Sequence, residues 1–575
     1  MNREQLTGLL GFAPSDEQWA AISAPLDGPM LVLAGAGSGK TAVMSARVVW
    51  LVASGLVAAD QVLGLTFTNK AAGELSSRIR ALLALLREPG QDDIAEPTIS
   101  TYHAFAMDLL SQWALLIGGE PSAALLTPTD LAVDTYRAVA RSHVSCEDLG
   151  TATISTVSER VQSLDEELSE HLITPQDLRT HDARLIEALQ AETGADARDA
   201  IVAARRRILI SHVVEEVRAD RAAKGVVSFA DLMRLAVLVT QTPPVREQMR
   251  QRYAVVLVDE YQDTSVAQRL MLQNLYGQGH PLTAVGDPLQ AIYGWRGASV
   301  ANIDGFPEHF GSGGVTARTS TLSINRRSGS LILDVANEVA SDVRSQHPGV
   351  QILRPGTEAA GEVTAALFDT WADELDWLVA QVLAQIHQGR SLDQIAVLCR
   401  TNDYVRMVGQ ALRDAGIPTA AASLGSVLHL PEVVEVLSLL RVLETADNGA
   451  LVRLLTGPQW RIGPSDLALL GARARELVGS SDDGEPDFQQ ALQQAVADVD
   501  PVDVVSLLEA VYDPGPAIRD EARSRLREFT AELDAMRPAL AAGVEEAAHR
   551  VVEISGLGVE VRLGPNAASR IDGLA

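Results

Sequence analysis

Two kinds of apolar pattern follow one another along the chain. Short uninterrupted apolar runs at residues 30–33 and 255–258 are typical of strands buried inside a parallel sheet. The segments PEVVEVLSLLRVL and LVRLLTG, which begin at Pro431 and Leu451, instead show the three- and four-residue spacing of amphipathic helices. A helix is also expected to begin near Lys40, soon after the first apolar run. These patterns predict an α/β fold whose later part is helical.

The composition indicates several folding units and few covalent constraints. At 575 residues the chain is expected to hold three or four units, each with its own core. Apolar residues make up 47% of the chain but aromatic residues only 4%, which favours a largely helical protein rich in alanine and leucine. Cys146 and Cys399 lie far apart, so neither a disulfide framework nor a zinc site is predicted.

Charge and hydropathy limit the classes of partner. The amino-terminal residues carry no basic segment followed by an apolar one, and no run of about 18 apolar residues occurs, so we expect a cytoplasmic protein without a membrane partner. The net charge of −28 argues against a nucleic-acid partner, because phosphate contacts need positive charge. A DNA-binding cleft needs basic groups along one track only, so the acidic balance does not exclude DNA.

The segment LVLAGAGSGKTAVM, residues 31–44, predicts a phosphate-binding loop of the pattern G-x-x-x-x-G-K-[ST] between a strand and a helix. Glycines let backbone N–H groups surround a phosphate, and the helix N-terminus adds a favourable partial charge. In this loop type the lysine reaches the β- and γ-phosphates and the threonine hydroxyl is a Mg²⁺ ligand. The alternative is a simple glycine-rich turn. The predicted nucleotide-binding residues are Ala34, Gly35, Ala36, Gly37, Ser38, Gly39, Lys40 and Thr41.

The segment VVLVDEYQDTS supplies an acidic partner for such a loop. Asp259 and Glu260 follow the apolar run 255–258, at the carboxyl end of the predicted strand. A carboxylate at this position can hold Mg²⁺, and its neighbour can orient and deprotonate the attacking water. We therefore predict Asp259 as a metal ligand and Glu260 as the general base, against the alternative of an acidic surface loop.

Together with LTAVGDPLQAIYGWRGAS, residues 282–299, these motifs resemble superfamily 1 helicases of the UvrD/Rep/RecB type. The resemblance covers most of the chain in motif order, through SDEQWAAI, LGLTFTNKAAGELSSRI, STYHAFA and LSINRRS. Across its motifs the sequence most resembles the motor subunits of the AdnAB helicase-nuclease. The resemblance implies a P-loop NTPase with tandem RecA-like parallel sheets and helical insertions, which uses ATP and Mg²⁺.

The resemblance also assigns roles around the nucleotide. It places Gln18 at the adenine edge and Arg327 on the γ-phosphate. Gln290 would sense the γ-phosphate and pass its state to the aromatic residues that follow it. The predicted catalytic residues are Lys40, Asp259, Glu260, Gln290 and Arg327.

A second set of residues is predicted to contact single-stranded DNA. Phe67, Tyr293 and Trp295 offer flat faces on which bases can stack, at roughly 1–3 kcal/mol per base, with core packing as the alternative. Lys70 and Arg296 would neutralise phosphates, or else be solvated surface charges. For His103 a DNA contact and a structural hydrogen bond are equally supported. The arginine run 205–207 is predicted to be a solvated helix face, with DNA backbone contact as the alternative.

Three features depart from the family pattern. Arg326 stands where the family has a tyrosine that stacks on adenine; a guanidinium plane can also stack on a base. In the family a turn of the pattern R-G-I-G contacts duplex DNA, and Arg461 stands here at its first glycine. Ile462 and Gly463 would make the duplex contact, with a helix-capping turn as the alternative. Beyond Gly463 nothing resembles the motifs that complete the second RecA-like domain, so we expect that domain to be incomplete and unwinding by this chain to be inefficient.

The landmarks predict four segments. Residues 1–110 and 229–318 would form the first RecA-like domain, which a helical insertion at 111–228 interrupts. Residues 319–420 would begin the second RecA-like domain, with GEVTAALF and IAVLCRTN as strands, and 421–575 would form a second, incomplete helical insertion. GSSDDGEPD, residues 479–487, is predicted to be a surface loop.

The sequence thus predicts an ATP-dependent DNA helicase or translocase motor of 3′-to-5′ polarity that acts in DNA repair or recombination. Its expected partners are single-stranded DNA, junctions of single and double strands, and a second helicase-nuclease subunit. The alternative is a non-catalytic DNA-binding subunit with a vestigial nucleotide site. An unrelated P-loop NTPase is disfavoured, because Phe67, Tyr293 and Trp295 occur within the DNA motifs.

Overall fold

A computed structural model describes residues 1–86, 95–120, 123–142, 153–192, 194–311, 314, 316–420, 430–478 and 506–563. The chain divides into two compact units, Met1–Thr364 and Ala365–Ala575. Cys146 and the predicted loop 479–487 lie outside the described residues. No described helix combines the length and the apolar character needed to cross a membrane.

A parallel sheet organises the first unit. Among the described residues its six strands run in the order β3-β2-β6-β7-β1-β8, and all neighbours are parallel. Two short parallel pairs, β4 with β5 and β9 with β10, accompany it. The strands are β1 (Met30–Ala34), β2 (Val62–Thr66), β3 (Thr98–Thr101), β4 (Ala124–Leu125), β5 (Val226–Val227), β6 (Val255–Val258), β7 (Leu282–Gly286), β8 (Arg318–Leu322), β9 (Ile324–Asn325) and β10 (Arg354–Pro355).

Helices cover both faces of this sheet because successive strand side chains point to opposite faces. Leu31 and Leu33 of β1 enter one core, and Met30 and Val32 enter the other. The helices of the first unit are α1 (Arg3–Leu10), α2 (Asp16–Ile22), α3 (Lys40–Ala53), α4 (Asn69–Ala84), α5 (Tyr102–Trp113), α6 (Pro128–Arg141), α7 (Ile154–Glu170), α8 (Pro175–Leu189), α9 (Ala195–Lys224), α10 (Phe229–Thr240), α11 (Pro243–Arg252), α12 (Val266–Tyr276), α13 (Ala301–Asp304), α14 (Phe306–Phe310), α15 (Ser330–Val339) and α16 (Ser341–Ser345).

The described part of the second unit is helical. Its larger core includes Trp460, Leu470 and Phe529, and the Trp460 and Phe529 rings meet edge to face at 5.2 Å. Its helices are α17 (Trp371–His387), α18 (Asn402–Asp414), α19 (Pro431–Thr445), α20 (Asn448–Thr456), α21 (Pro464–Val478), α22 (Leu507–Tyr512), α23 (Asp520–Met536), α24 (Val544–Ile554) and α25 (Leu557–Leu563). The helices predicted from the segments that begin at Pro431 and Leu451 are therefore confirmed.

Two strand predictions are wrong. Residues 361–368 and 395–401 form no strand in the structure. A strand is stabilised by backbone hydrogen bonds to a neighbouring strand and by side chains buried on the sheet. Leu367 is 97% exposed, and residues 361–367 are exposed throughout. Ile395, Val397 and Cys399 do pack against a small core while Leu398 is 95% exposed, but the segment pairs with no described strand.

The boundary predicted between residues 318 and 319 stays a prediction. It falls at the start of β8, which pairs with β1 along its whole length as the sixth strand of the first sheet. The first unit continues to Thr364. The remaining bounds of the second RecA-like domain stay a prediction.

Buried ion pairs connect the helices of the insertion. Asp165 of α7 accepts a hydrogen bond from Arg218 Nε at 2.6 Å and another from Arg221 Nη2, both on α9. Arg221 Nε also lies 3.2 Å from Asp231 Oδ2 of α10. Arg221 is only 2% exposed. Burial acts to lower the pKa of Arg221, but Asp165 and Asp231 outweigh it and raise that pKa, so the guanidinium stays charged.

We predict that Arg221→Met destabilises the insertion by about 3–5 kcal/mol, because it removes the buried cation that Asp165 and Asp231 share. Native-state hydrogen exchange of backbone amides in α7 and α9 measures this local opening free energy. Arg141→Met is the matched control, since Arg141 Nη2 reaches Asp220 Oδ2 at 3.4 Å on the surface and such pairs contribute roughly 0–1 kcal/mol. Equal exchange rates in the two variants would contradict a structural role for the buried network.

Candidate nucleotide and nucleic-acid site

The phosphate-binding loop lies between β1 and α3, in the predicted strand-loop-helix context. Ala34, the last residue of β1, occupies the position where the pattern has its first glycine. Ser38 Oγ donates to the Gly35 carbonyl at 2.7 Å and closes the loop on itself. Lys40 and Thr41 form the first turn of α3, so the loop amides precede a helix N-terminus.

The Lys40 ammonium brings three sequence motifs together. Its Nζ atom lies 2.8 Å from Glu260 Oε2 and 3.4 Å from Gln290 Oε1. Glu260 follows β6 and Gln290 follows β7, whereas Lys40 follows β1. The carboxyl ends of parallel strands meet at one edge of a sheet, and this is where ligands bind in open α/β folds. The contacts therefore form at the edge expected of a nucleotide site.

A hydrogen-bond network orients the groups around Lys40. Gln262 Nε2 donates to the same Glu260 Oε2 atom at 2.8 Å, and Gln262 Oε1 accepts from the Asp287 backbone N–H at 2.9 Å. Asp287 Oδ2 in turn accepts from Gln290 Nε2 at 2.6 Å. Gln262 and Asp287 thus fix two of the residues that contact Lys40.

Carboxylates outnumber cations in this region. The pKa of Asp259 and the pKa of Asp263 are each raised to about 6. Burial is the larger cause in both cases, and the Glu260 carboxylate is the next. Asp263 Oδ1 is buried and has no hydrogen-bond partner among the described residues. Hard divalent cations prefer oxygen donors and reverse such pKa shifts. Asp259 and Asp263 offer oxygen donors of the kind that Mg²⁺ prefers, and Mg²⁺ binding by Asp259 and Thr41 stays a prediction.

Gln18 is hydrogen-bonded to the phosphate-binding loop. It lies in α2, is 4% exposed, and donates from Nε2 to the Ser38 carbonyl at 2.9 Å. Its Oε1 atom accepts from the Ser15 N–H at 3.0 Å, in the capping box of α2. Both ends of the amide are therefore engaged within the chain, and the structure places Gln18 against the phosphate loop.

The LSINRRS segment closes over the loop through Asn325. Asn325 Nδ2 donates to the Ala36 carbonyl at 2.7 Å, and the Arg326 N–H donates to the Gly37 carbonyl at 2.9 Å. Asn325 Oδ1 accepts from the backbone N–H of Arg327 at 2.8 Å. These bonds place Arg326 and Arg327 beside the loop with exposed side chains.

Aromatic residues form a short track beside this edge. The ring centroids of Phe67 and Tyr293 are 4.8 Å apart, and those of Tyr293 and Trp295 are 6.4 Å apart. Trp295 is 71% exposed, and the Arg296 guanidinium lies 4.6 Å from the centre of its ring. Core packing of Trp295 is excluded by this exposure. We call Phe67, Tyr293 and Trp295 the aromatic track.

The other predicted DNA contacts differ from one another. Lys70 is largely exposed, with Glu74 Oε1 3.9 Å away across one helical turn. The His103 ring meets Phe229 edge to face at 5.3 Å, and burial lowers the pKa of His103. Burial therefore favours the neutral imidazole of His103, whereas the Lys70 side chain is open to solvent.

The structure also bears on two further predictions, which concern the arginine run 205–207 and the turn at Ile462 and Gly463. Arg207, the last residue of the arginine run, makes a two-pronged ion pair with buried Asp182 at 2.9 and 2.7 Å, so it is not a freely solvated residue. Ile462 is 3% exposed and belongs to the core of the second unit, which rules out its predicted duplex contact. The Gly463 carbonyl accepts from the N–H groups of Asp466 and Leu467 and caps α21, as the alternative proposed.

The sequence analysis missed three residues of the site. Gln262 lies inside DEYQD, Asp287 inside GDPLQ and Asn325 inside LSINRRS. Each is a polar residue inside a recognised motif: Asp287 directly follows β7, Asn325 lies in β9, and Gln262 lies four residues beyond the end of β6. That position was a usable signal, but the bonds of Gln262 to Asp287 and of Asn325 to Ala36 join segments far apart in the chain and could not be identified.

The parallel sheet, the phosphate loop and the acidic strand end together define a P-loop NTPase fold. The chain matches the UvrD/REP helicase N-terminal domain over residues 15–311 and the UvrD-like helicase C-terminal domain over residues 320–479. It therefore belongs to the UvrD/REP helicase family.

Relatives of this family span more sequence than the chain does. The ATP-dependent DNA helicase PcrA of Staphylococcus epidermidis is 28% identical over 450 residues, which cover 77% of this chain and 55% of that protein. DNA helicase II of Haemophilus influenzae is 30% identical over 465 residues, or 80% of this chain and 58% of that protein. The chain thus spans between half and three fifths of the length of these curated relatives.

The contact between the loop and Asn325 generates a prediction for Gly37→Ala. Gly37 has φ +69°, and a Cβ atom there would lie 2.5 Å from Asn325 Nδ2. The substitution strains the backbone and displaces Asn325, so we expect ATP affinity to fall about tenfold, equivalent to about 1.4 kcal/mol. Isothermal titration calorimetry measures the affinity.

Gly55→Ala is the matched control for this substitution. Gly55 also has φ +69°, but no atom lies within 4 Å of the added Cβ, so the backbone strain is similar and the steric contact is missing. We expect Gly55→Ala to bind ATP like the wild type. An equal loss of affinity in both variants would show that the contact with Asn325 does not matter for nucleotide binding.

Proposed function

We propose that this chain is an ATP-driven motor that moves along single-stranded DNA. The observation that carries the proposal is the position of Lys40, which contacts both Glu260 and Gln290. Gln290 lies only three residues before Tyr293 of the aromatic track. The nucleotide site and the candidate DNA track therefore share one short segment.

ATP is the substrate of the proposed site. Lys40 would exchange Glu260 and Gln290 for phosphate oxygens, while the loop amides at the start of α3 bind the remaining negative charge. Thr41 and Asp259 would hold Mg²⁺, which when bound neutralises phosphate charge during transfer. Once Lys40 has moved to phosphate, Glu260 remains held by Gln262 and is placed to accept a proton from the attacking water.

Single-stranded DNA is the proposed track. Phe67, Tyr293 and Trp295 would stack bases without sequence preference, and Lys70 and Arg296 would neutralise phosphates. Gln290 supplies the link, because loss of its contact with Lys40 would be transmitted along the backbone to Tyr293. Arg327, exposed beside the loop, would reach the γ-phosphate and stabilise charge in the transition state.

Finer features extend the proposal from the family resemblance. They comprise movement with 3′-to-5′ polarity, action at junctions of single and double strands, and a role in DNA repair or recombination. Association with a second helicase-nuclease subunit belongs to the same extension. The two relatives described above are named as DNA helicases, which supports DNA as the substrate class.

The nucleotide part is tested by comparing Lys40→Ala with Glu260→Gln. Lys40→Ala removes the charge that binds phosphate, so we expect most ATP affinity to be lost. Glu260→Gln keeps the shape but removes the base, so we expect near-normal binding and hydrolysis lowered by about 10²–10⁴-fold. Calorimetry measures binding, and phosphate release with and without oligo(dT) measures hydrolysis. Equal ATP binding by Lys40→Ala and wild type would refute the site.

The DNA part is tested by Trp295→Ala. Loss of one stacking surface should weaken oligo(dT) binding by roughly 1–3 kcal/mol, while ATP affinity stays the same. Fluorescence anisotropy of a labelled oligonucleotide measures this change. Trp371→Ala serves as the control, because Trp371 is a half-exposed tryptophan outside the aromatic track. Unchanged oligonucleotide affinity in Trp295→Ala would remove the track from the proposal.

A further inference from the structure

Two separate segments hold the phosphate-binding loop by its backbone carbonyls. Gln18 of α2 donates from Nε2 to the Ser38 carbonyl at 2.9 Å. Asn325 of β9 donates from Nδ2 to the Ala36 carbonyl at 2.7 Å. We call residues 323–327, which include Asn325, the covering segment. The loop is therefore held by α2 at one carbonyl and by the covering segment at another.

These bonds also determine how the next backbone N–H groups are directed. A trans peptide unit is planar, so its carbonyl and its N–H point in opposite directions. The bond to the Ala36 carbonyl therefore turns the Gly37 N–H away from the covering segment. In the same way, the bond to the Ser38 carbonyl turns the Gly39 N–H away from α2. Donors whose direction is already fixed bind an anion at a lower entropic cost.

Helix α2 is anchored in the core of the first unit. Arg47 of α3 is 2% exposed, and its Nη1 atom donates at 3.0, 3.0 and 2.9 Å to the carbonyls of Ala21, Ile22 and Ala24. Its Nε atom donates to Thr283 Oγ1 of β7 at 3.2 Å. The bonds of Nη1 satisfy carbonyls at and just beyond the end of the helix, where intrahelical partners are missing. Helix α2 is therefore a fixed support for a segment that bonds to it.

The covering segment has less support of its own. It begins directly after β8, so it lies beyond the six-stranded sheet, and in the part of the chain that the structure describes it pairs only with the short strand β10. The side chains of Arg326 and Arg327 are exposed. The position of the covering segment therefore depends largely on individual hydrogen bonds.

Glu17 joins the covering segment to α2. Its Oε1 atom accepts from Ser323 Oγ at 2.6 Å, and its Oε2 atom accepts from the Ser323 backbone N–H at 2.8 Å. Ser323 is 2% exposed. Hydrogen bonds to a carboxylate are roughly twice as strong as those between neutral groups, and two of them to one residue fix its orientation. Glu17 thus connects the two segments that hold the loop.

We propose that Glu17 is a positioning residue for ATP, because its bonds to Ser323 keep the covering segment on the phosphate-binding loop before nucleotide arrives. The inference rests on the proposed function, since it takes this loop to be the ATP site. When the binding-competent arrangement is only partly populated, the apparent affinity falls by the populated fraction. Loss of the Glu17 bonds lowers that fraction, and saturating ATP restores it. The expected consequence is weaker ATP binding with an unchanged maximal rate of hydrolysis.

The test measures ATP affinity of the full chain by isothermal titration calorimetry. We expect Glu17→Ala to weaken ATP binding about three- to tenfold. Glu17→Gln can still accept from the Ser323 N–H through Oε1 and donate to Ser323 Oγ through Nε2, so we expect it to recover most of the affinity. Initial rates of hydrolysis with oligo(dT) then separate a positioning role, which raises KM and leaves kcat unchanged, from damage to the site, which lowers kcat.

Asp16→Ala is the matched control. Asp16 is the neighbouring acidic residue in the first turn of α2, and its carboxylate bonds Arg3 at 2.7 Å. The substitution removes the same charge from the same helix, so we expect ATP affinity to stay at the wild-type value. Ser323→Ala and the double variant Glu17→Ala/Ser323→Ala complete a double-mutant cycle, in which Ser323→Ala should lower affinity only while Glu17 is present. Ser323→Ala keeps the backbone bond, so it tests the pair even if Glu17→Ala does not fold.

The outcomes separate this inference from the proposed function. Weaker ATP binding by Glu17→Ala than by Asp16→Ala, recovered in Glu17→Gln and not worsened by Ser323→Ala, supports the inference. Equal affinities of Glu17→Ala, Ser323→Ala and Asp16→Ala overturn it. A loss that Glu17→Gln does not recover, or a lowered kcat at saturating ATP, also overturns it. Equal ATP binding by Lys40→Ala and wild type would instead contradict the proposed nucleotide site itself.

Discussion

The pairing of one ammonium with one carboxylate organises the candidate site. Lys40 and Glu260 lie 220 positions apart in the chain, yet their side chains meet at 2.8 Å. They can do so because β1 and β6 run parallel in one sheet and end at the same edge. An arginine in place of Lys40 would present a broad planar group with fixed donor directions, whereas an ammonium is a compact charge that can change partners. The site therefore depends on this residue type and on this sheet topology.

The distance from the candidate nucleotide site to the aromatic track is short in this fold. Gln290 contacts Lys40, and the same segment continues through Tyr293 to Trp295 and the Gly297 turn. That turn is bonded back to the chain that follows Glu260, through Thr264 and Ser265. Two bonded segments thus connect the surroundings of Lys40 to the aromatic residues, and both run within the first unit. Such connected bonded segments are a physical means of coupling two sites.

The helical insertion packs against the turn that carries Trp295 and Arg296. Buried ion pairs between α7, α9 and α10 hold its helices together, and α7 then meets the aromatic turn at Gly297. Buried ion pairs contribute little net free energy of folding, but removal of either partner is strongly destabilising. They therefore favour one arrangement of the helices over others. A fixed insertion gives this turn a fixed neighbour at Glu170.

The sequence by itself determined the local elements and the chemistry they carry. The apolar runs predicted β1 and β6, the glycine-rich loop predicted the start of α3 at Lys40, and the motifs located the acidic and aromatic residues, because these signals depend on neighbours along the chain. Tertiary structure decided the rest. It engaged Gln18 with Ser38, closed Asn325 over the loop, placed β8 beside β1, buried Ile462 and left residues 361–368 without a strand partner. Those outcomes depend on which distant segments supply hydrogen bonds and apolar contacts, and a strand or a buried amide exists only when that distant partner is present.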